Sequence, residues 1–171
     1  KIVPRKIKAG FFFLSPFIFA RLFVYLPQII KTMQHGFIKV GAAIPLVSVA
    51  DTKYNTEQLI AMAHRAHEEG AEVTVFPELC ITGYTCGDLL TQQTLLQEVE
   101  NSVEEFSEAT KEYDNIYIIG APIYVCGALY NCALVMQQGL ILGIVPKCYI
   151  PNYGEFSERR WFSTGYNLRM E

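Results

Sequence analysis

The body of the chain lacks concentrated positive charge. Its formal net charge is −3 and no Lys/Arg cluster interleaves with aromatics, which leaves no electrostatic case for nucleic acid. It also lacks an even set of cysteines. The five present (Cys80, Cys86, Cys126, Cys132 and Cys148) lie in or beside apolar runs and suit reduced thiols in the cytoplasm better than a disulfide framework. No glycine-rich phosphate loop occurs, so nucleotide chemistry is not expected in this segment. Zinc-type spacing is missing too. The pairs Cys80/Cys86 and Cys126/Cys132 are too widely spaced, and His64 and His67 on one helix read as a solvated face, so no metal site is expected. There is no internal repeat and no low-complexity tract. What the chain does have is apolar residues, 51% of 171, enough for the packed core of one domain.

The first thirty residues differ from the rest. Lys1, Arg5, Lys6 and Lys8 precede an apolar stretch over 9–30 whose only charge is Arg21. A basic flank followed by an apolar run has the form of a membrane anchor, but Pro16, Arg21 and Pro27 interrupt it and no small-residue cleavage site follows. The reading preferred is that residues 1–32 lie outside the native protein, with Met33 as the start of the soluble part. A membrane association is expected only if 9–30 is native. The terminal NLRME has no turn or cap, and 33–171 reads as an incomplete domain.

From Phe37 onward strand and helix patterns alternate. Phe37–Ile44 is a short apolar run ending at Pro45. Asn55, with Gln58 three residues on, predicts a capped helix carrying Leu59, Ile60, Ala63 and Ala66 and closed by Gly70. Val73–Phe76 is the next strand. A second helix follows with the stripe Leu95, Val99, Val103, Phe106, and with Glu98, Glu100, Glu104 and Glu105 on its solvated side. Three strands come next, Ile116–Ile119, Tyr130–Met136 and Leu140–Val145, the last two joined by a tight turn at Gln137-Gln138-Gly139. Continuous apolar strands between helices predict an α/β fold with a helix-covered sheet.

Two strands end alike, in an apolar run, a proline and a charge: VTVF-Pro77-Glu78 and LILGIV-Pro146-Lys147. The carboxyl ends of strands are where α/β proteins deliver side chains to ligands. A carboxylate and an ammonium brought together there would serve as base and oxyanion stabiliser, or as an ion pair sealing the sheet edge. Spacing alone leaves both open.

The wording around these residues is specific. FPELCITGY, IIGAPI, YNCALV and VPKCYIPNYGEFSERRWF together resemble the nitrilase (carbon–nitrogen hydrolase) superfamily, and more narrowly the amino-terminal glutaminase domains of glutamine-dependent NAD synthetases. The resemblance covers Phe37 to Phe162 and implies part of a four-layer αββα sandwich. It implies that Glu78 is the general base, that Lys147 steadies the tetrahedral oxyanion, and that Glu155, eight residues on, is a second catalytic glutamate, with Glu158 as a competitor for that place. Tyr153 and Tyr84 are implied as glutamine-contacting residues. It further implies a synthetase domain of the same chain that would bind ATP and deamido-NAD, and self-association into a homo-oligomer.

Amide hydrolysis through a thioester also needs a thiolate. In the family that cysteine lies well downstream of the lysine, and none of the five cysteines here is expected to take its place. Cys148 adjoins Lys147 on a strand and points the other way, while Cys80 and Cys86 lack a supporting motif. As it stands, 33–171 is therefore expected to be inactive. Other readings remain: a stand-alone amidase, an apolipoprotein N-acyltransferase-like membrane enzyme, and a non-catalytic module. The hydrolase readings require the Glu78 and Lys147 head groups to converge.

Overall fold

The computed structural model describes residues 36–168; the expectations for 1–32 and for the last residues lie outside that range. One five-stranded sheet has the order β1 (Val40–Ala42), β2 (Val73–Val75), β3 (Ile116–Val125), β4 (Ala128–Gln137) and β5 (Leu140–Pro146). The first two pairings are parallel and the last two antiparallel, so every strand except β4 points the same way. Helices α1 (Thr52–Glu68) and α2 (Gln93–Ala109) fill the crossovers on either side of β2.

Side chains alternate across a strand, so the paired residues Tyr117/Met136, Ile119/Leu134 and Ala121/Cys132 share one face. That face forms a single core with Leu59 and Ala63 of α1 and Val99, Val103 and Phe106 of α2. Phe106 packs edge-on against both Phe76 and Tyr117, and the Tyr117 hydroxyl donates to the Ala63 carbonyl at 3.2 Å. Both helices thus cover the same side. On the other side Val40, Val75, Leu140 and Leu142 stay at least partly exposed. One sheet with one helical layer is the αβ half of the sandwich expected from the motifs.

Several local expectations need correction. Asn55 does not cap α1. Asp51 does, its Oδ1 accepting from Tyr54 N at 3.1 Å. Asn55 lies inside the helix, fully buried, and bonds to Ser48 N, Ser48 O and Ile81 O. A buried amide near a helix start mimics a cap in sequence, yet here it ties two loops together. The other end behaves as read: Gly70 N–H returns to His67 O and Ala71 N–H to Ala66 O, a Schellman closure with Gly70 at φ +74°. On α2, Glu100 is half-buried whereas Glu98, Glu104 and Glu105 are exposed. The strand expected at Phe37–Ile44 shrinks to Val40–Ala42. The one expected at Ile116–Ile119 runs on to Val125, because a second tight turn at Cys126-Gly127, both at positive φ, lets β4 pair along its full length. The turn at Gln138-Gly139 has the same left-handed pair of residues. None of the helices among the described residues is long and apolar enough to cross a membrane.

Candidate active site

Pro77 and Pro146 end strands that run in the same direction, so Glu78 and Lys147 leave the sheet at the same edge. They do not start close. Two strands separate β2 from β5, three spacings or about 14 Å at the usual interstrand distance. The chain closes that gap by lying across the sheet. β3 and β4 extend past the end of β2, and the Pro77–Leu79 backbone passes over Gly120 of β3 in contact too close for any side chain at that position. Phe76 N–H donates to Ile118 O and Ile81 N–H to Gly120 O, stitching the crossing down. Leu79 turns in the left-handed region at φ +49°, a costly conformation for a branched residue, held by Thr82 and Gly83 N–H groups on its carbonyl. This turn is what TGY after the glutamate provides.

The head groups meet. Lys147 Nζ lies 2.7 Å from Glu78 Oε1. The same ammonium donates to Glu158 Oε1 at 3.0 Å and Oε2 at 2.9 Å. Glu158 is buried, and its Oε1 also accepts from the Tyr84 hydroxyl at 2.6 Å. Burial works against the Lys147 charge, but hydrogen bonds and charge from Glu78 and Glu158 outweigh it and hold the pKa above the usual lysine value. Lys147 is therefore a fixed cation. Burial, then the bond to Glu158 and the charge of nearby carboxylates, pushes the Tyr84 hydroxyl above the ordinary phenol range, so it stays protonated and serves as a donor.

The placement of the other expected residues is mixed. Glu155 is exposed, and Glu158, three residues later, braces Lys147 instead. Tyr84 reaches the cluster, whereas Tyr153 is 71% exposed and packs edge-on against Phe156. Tyr153 does line an open depression of about 880 Å³ that begins at Lys147 and continues past Tyr149, Arg159, Phe162 and Tyr166. Glu78, Glu158 and Tyr84 do not line it, so it adjoins the acid–amine pair only through the lysine.

Sequence reading missed two contributors. Asn131 of β4 donates its side-chain amide to Glu78 Oε1, and nothing in YNCALV distinguishes it from an ordinary turn-proximal asparagine. Asp88 accepts from Arg160 Nε at 2.7 Å, from its second guanidinium nitrogen at 2.9 Å and from Trp161 Nε1 at 2.8 Å. That clamp joins the loop carrying Tyr84 to the short helical turn Glu158–Arg160 that carries Glu158. The hydrogen bond from Arg160, then that from Trp161, holds the Asp88 carboxyl down at about 2.

The cysteines fall in two groups. Cys80 and Cys132 are buried, and loss of solvent pushes their thiols up to about 11 and about 12, opposite to what a nucleophile needs. Cys86 is buried and donates to Thr82 O at 2.9 Å, Cys126 is exposed, and Cys148 Sγ faces Pro146 O at 3.7 Å.

A buried glutamate, a charged lysine and a second glutamate thus gather at the carboxyl edge of a mixed sheet on a nitrilase-like α/β scaffold. Comparison with known proteins agrees. The Carbon-nitrogen hydrolase family model matches residues 39–170, and the chain belongs to that family. It is 37% identical over 132 residues to the glutamine-dependent NAD(+) synthetase of Mycobacterium tuberculosis, covering 77% of this chain and 19% of that protein. It is likewise 37% identical over 135 residues to the enzyme of the same description from Mycobacterium leprae, covering 79% of this chain and 20% of that one. The chain thus spans about a fifth of the length of these curated relatives. The crystal structure of a glutamine-dependent NAD(+) synthetase from Cytophaga hutchinsonii superposes with a TM-score of 0.70 at 28% identity, over 74% of this chain and 22% of that one. An amidase from Nesterenkonia sp. shares the fold, with a TM-score of 0.66 at 18% identity over 78% of this chain and 50% of that chain.

Proposed function

We propose that this chain is the glutaminase portion of a glutamine-dependent NAD synthetase, hydrolysing the side-chain amide of glutamine and passing ammonia to a synthetase domain. That domain would use ATP to convert deamido-NAD to NAD. The observation that carries the reading is the 2.7 Å contact between Glu78 and Lys147, in a chain 37% identical to such synthetases over 132 residues. Glu78 takes the proton of the attacking thiol and returns it to the departing ammonia. Lys147, kept charged by two carboxylates, faces the oxyanion that forms as the carbonyl is attacked, where fixed positive charge counts most. Glu158 holds the ammonium in place. The nucleophilic thiol belongs to a cysteine other than Cys80 and Cys132, which are sealed in the core.

The test is expression of the complete reading frame and assay of glutamate and ammonia released from glutamine. Glu78→Gln and Lys147→Met should each lower kcat by roughly a hundredfold or more. Release of ammonia from short aliphatic amides with none from glutamine would replace this reading by a stand-alone amidase. An unimpaired Glu78→Gln enzyme would sink both.

A further inference from the structure

Asn131 holds both members of the acid–amine pair. It lies on β4 opposite Pro122 of β3 and is 4% exposed. Its backbone carbonyl accepts from Lys147 N–H at 2.7 Å, fixing the start of the segment after β5. Its side-chain amide donates to Glu78 Oε1, the same oxygen that receives Lys147 Nζ at 2.7 Å. Glu78 Oε1 therefore carries two donors, one charged and one neutral. Among the described residues none donates to Oε2.

That asymmetry has a chemical consequence. An oxygen whose lone pairs meet two donors is a poor proton acceptor, while its partner keeps its lone pairs free. We propose that Asn131 is a positioning residue for amide hydrolysis: with Lys147 it occupies Oε1 of Glu78 and leaves Oε2 as the atom that accepts the proton. The inference rests on the glutaminase reading and adds the atom through which Glu78 acts. In the attack, the S–H bond of a thiol breaks and its proton moves to Oε2. The sulfur pair forms the bond to the amide carbon and the carbonyl π pair moves onto oxygen. In the collapse, the C–N bond breaks, the proton passes from Oε2 to nitrogen, and ammonia leaves. Oε1 stays bound throughout, so the carboxylate keeps one orientation across both steps. An amide suits this task because it donates a hydrogen bond without adding charge to the site. β4 lies between β3 and β5, which gives Asn131 little freedom to drift.

Two substitutions in the complete reading frame test this. Asn131→Leu fills similar space without a donor. Asn131→Asp keeps the shape but puts an acceptor where the donor was. The expected result for Asn131→Leu is a fall in kcat of about tenfold or more, with KM for glutamine within about twofold, because the lost contact orients the base rather than binding substrate. Asn131→Asp should fall further, since it sets a second carboxyl group beside Glu78. Crystal structures of the variants should show the Glu78 carboxylate turned away from residue 131 or in more than one orientation. Unchanged kcat in Asn131→Asp, or a Glu78 that keeps its place in the variant structures, overturns the proposal. A wild-type protein inert toward glutamine sinks the functional reading, and the crystal structures then still decide the role of Asn131. If the leucine variant does not fold, the aspartate variant alone decides the matter.

Discussion

Gly120 lies directly under the Leu79 peptide: a Cβ at residue 120 would stand 2.4 Å from Leu79 N and 2.7 Å from Pro77 O. Both are backbone atoms of the crossing that carries Glu78 toward Lys147, so neither can rotate aside. Gly120→Ala should destabilise the protein by about 1–3 kcal/mol as an overpacked site, measured by urea unfolding. It should also lower activity more than a surface substitution of equal stability cost, because relief of the clash moves Glu78. An alanine variant with native stability would show that the crossing is loose.

Glu158 and Glu155 should part company on substitution. Glu158→Ala leaves Lys147 without its buried partner and should cost about 3 kcal/mol in denaturant unfolding. Glu155→Ala, at an exposed position, should stay within about 0.5 kcal/mol of the parent. Equal costs would mean that the bonds from Lys147 to Glu158 do not persist in solution.

The Asp88 clamp has a defined pH signature. The folded-state pKa, about 2, lies below the ordinary aspartate value. The clamp's contribution to stability is therefore complete above about pH 4. It is lost as pH falls through the folded value. The stability gap between the parent and Asp88→Asn should be constant from neutral pH to about pH 4 and then close toward about pH 2. A gap that does not change with pH would mean that the ion pair adds nothing to stability.

Asn55 should matter more than the residue that does the capping. Asp51→Ala removes one cap bond and should cost about 1 kcal/mol. Asn55→Ala strands the buried Ile81 carbonyl and removes both bonds that tie the Ser48 backbone to the helix, and should cost about 2–3 kcal/mol. Thermal unfolding of the two variants side by side ranks them.

Alkylation tests the burial of the thiols. Brief treatment at pH 8 should modify exposed Cys126 first and leave Cys80 and Cys132 protected, since the latter two are buried and hard to ionise. Peptide mass spectrometry reads the order. Early labelling of Cys80 would mean that the crossing over Gly120 opens readily, because Cys80 Sγ bonds to that residue.

Much of this architecture follows rules that act over a few residues. Alternation of apolar side chains, the stripe on α2, the glycine that ends α1 and the turn at Gln138-Gly139 are all local, and each stands in the sequence at the place the fold uses it. The paired endings Pro77-Glu78 and Pro146-Lys147, with the blocks around them, were enough to point to the family and to two residues whose head groups meet. Which atoms meet is a different matter. Glu78 and Lys147 are 69 residues apart in the chain and Asn131 is 53 from Glu78, and those contacts depend on a crossing over β3 that no spacing encodes. The same holds for Glu158 taking the place beside Lys147 while Glu155 faces solvent. Three residues separate them, but Glu158 opens a one-turn helix clamped to Asp88 from another loop, whereas Glu155 lies in the turn before it. Local patterns follow from the chain's own geometry, whereas partner choice in the site follows from how distant segments stack, and only the folded arrangement of the sheet settles that.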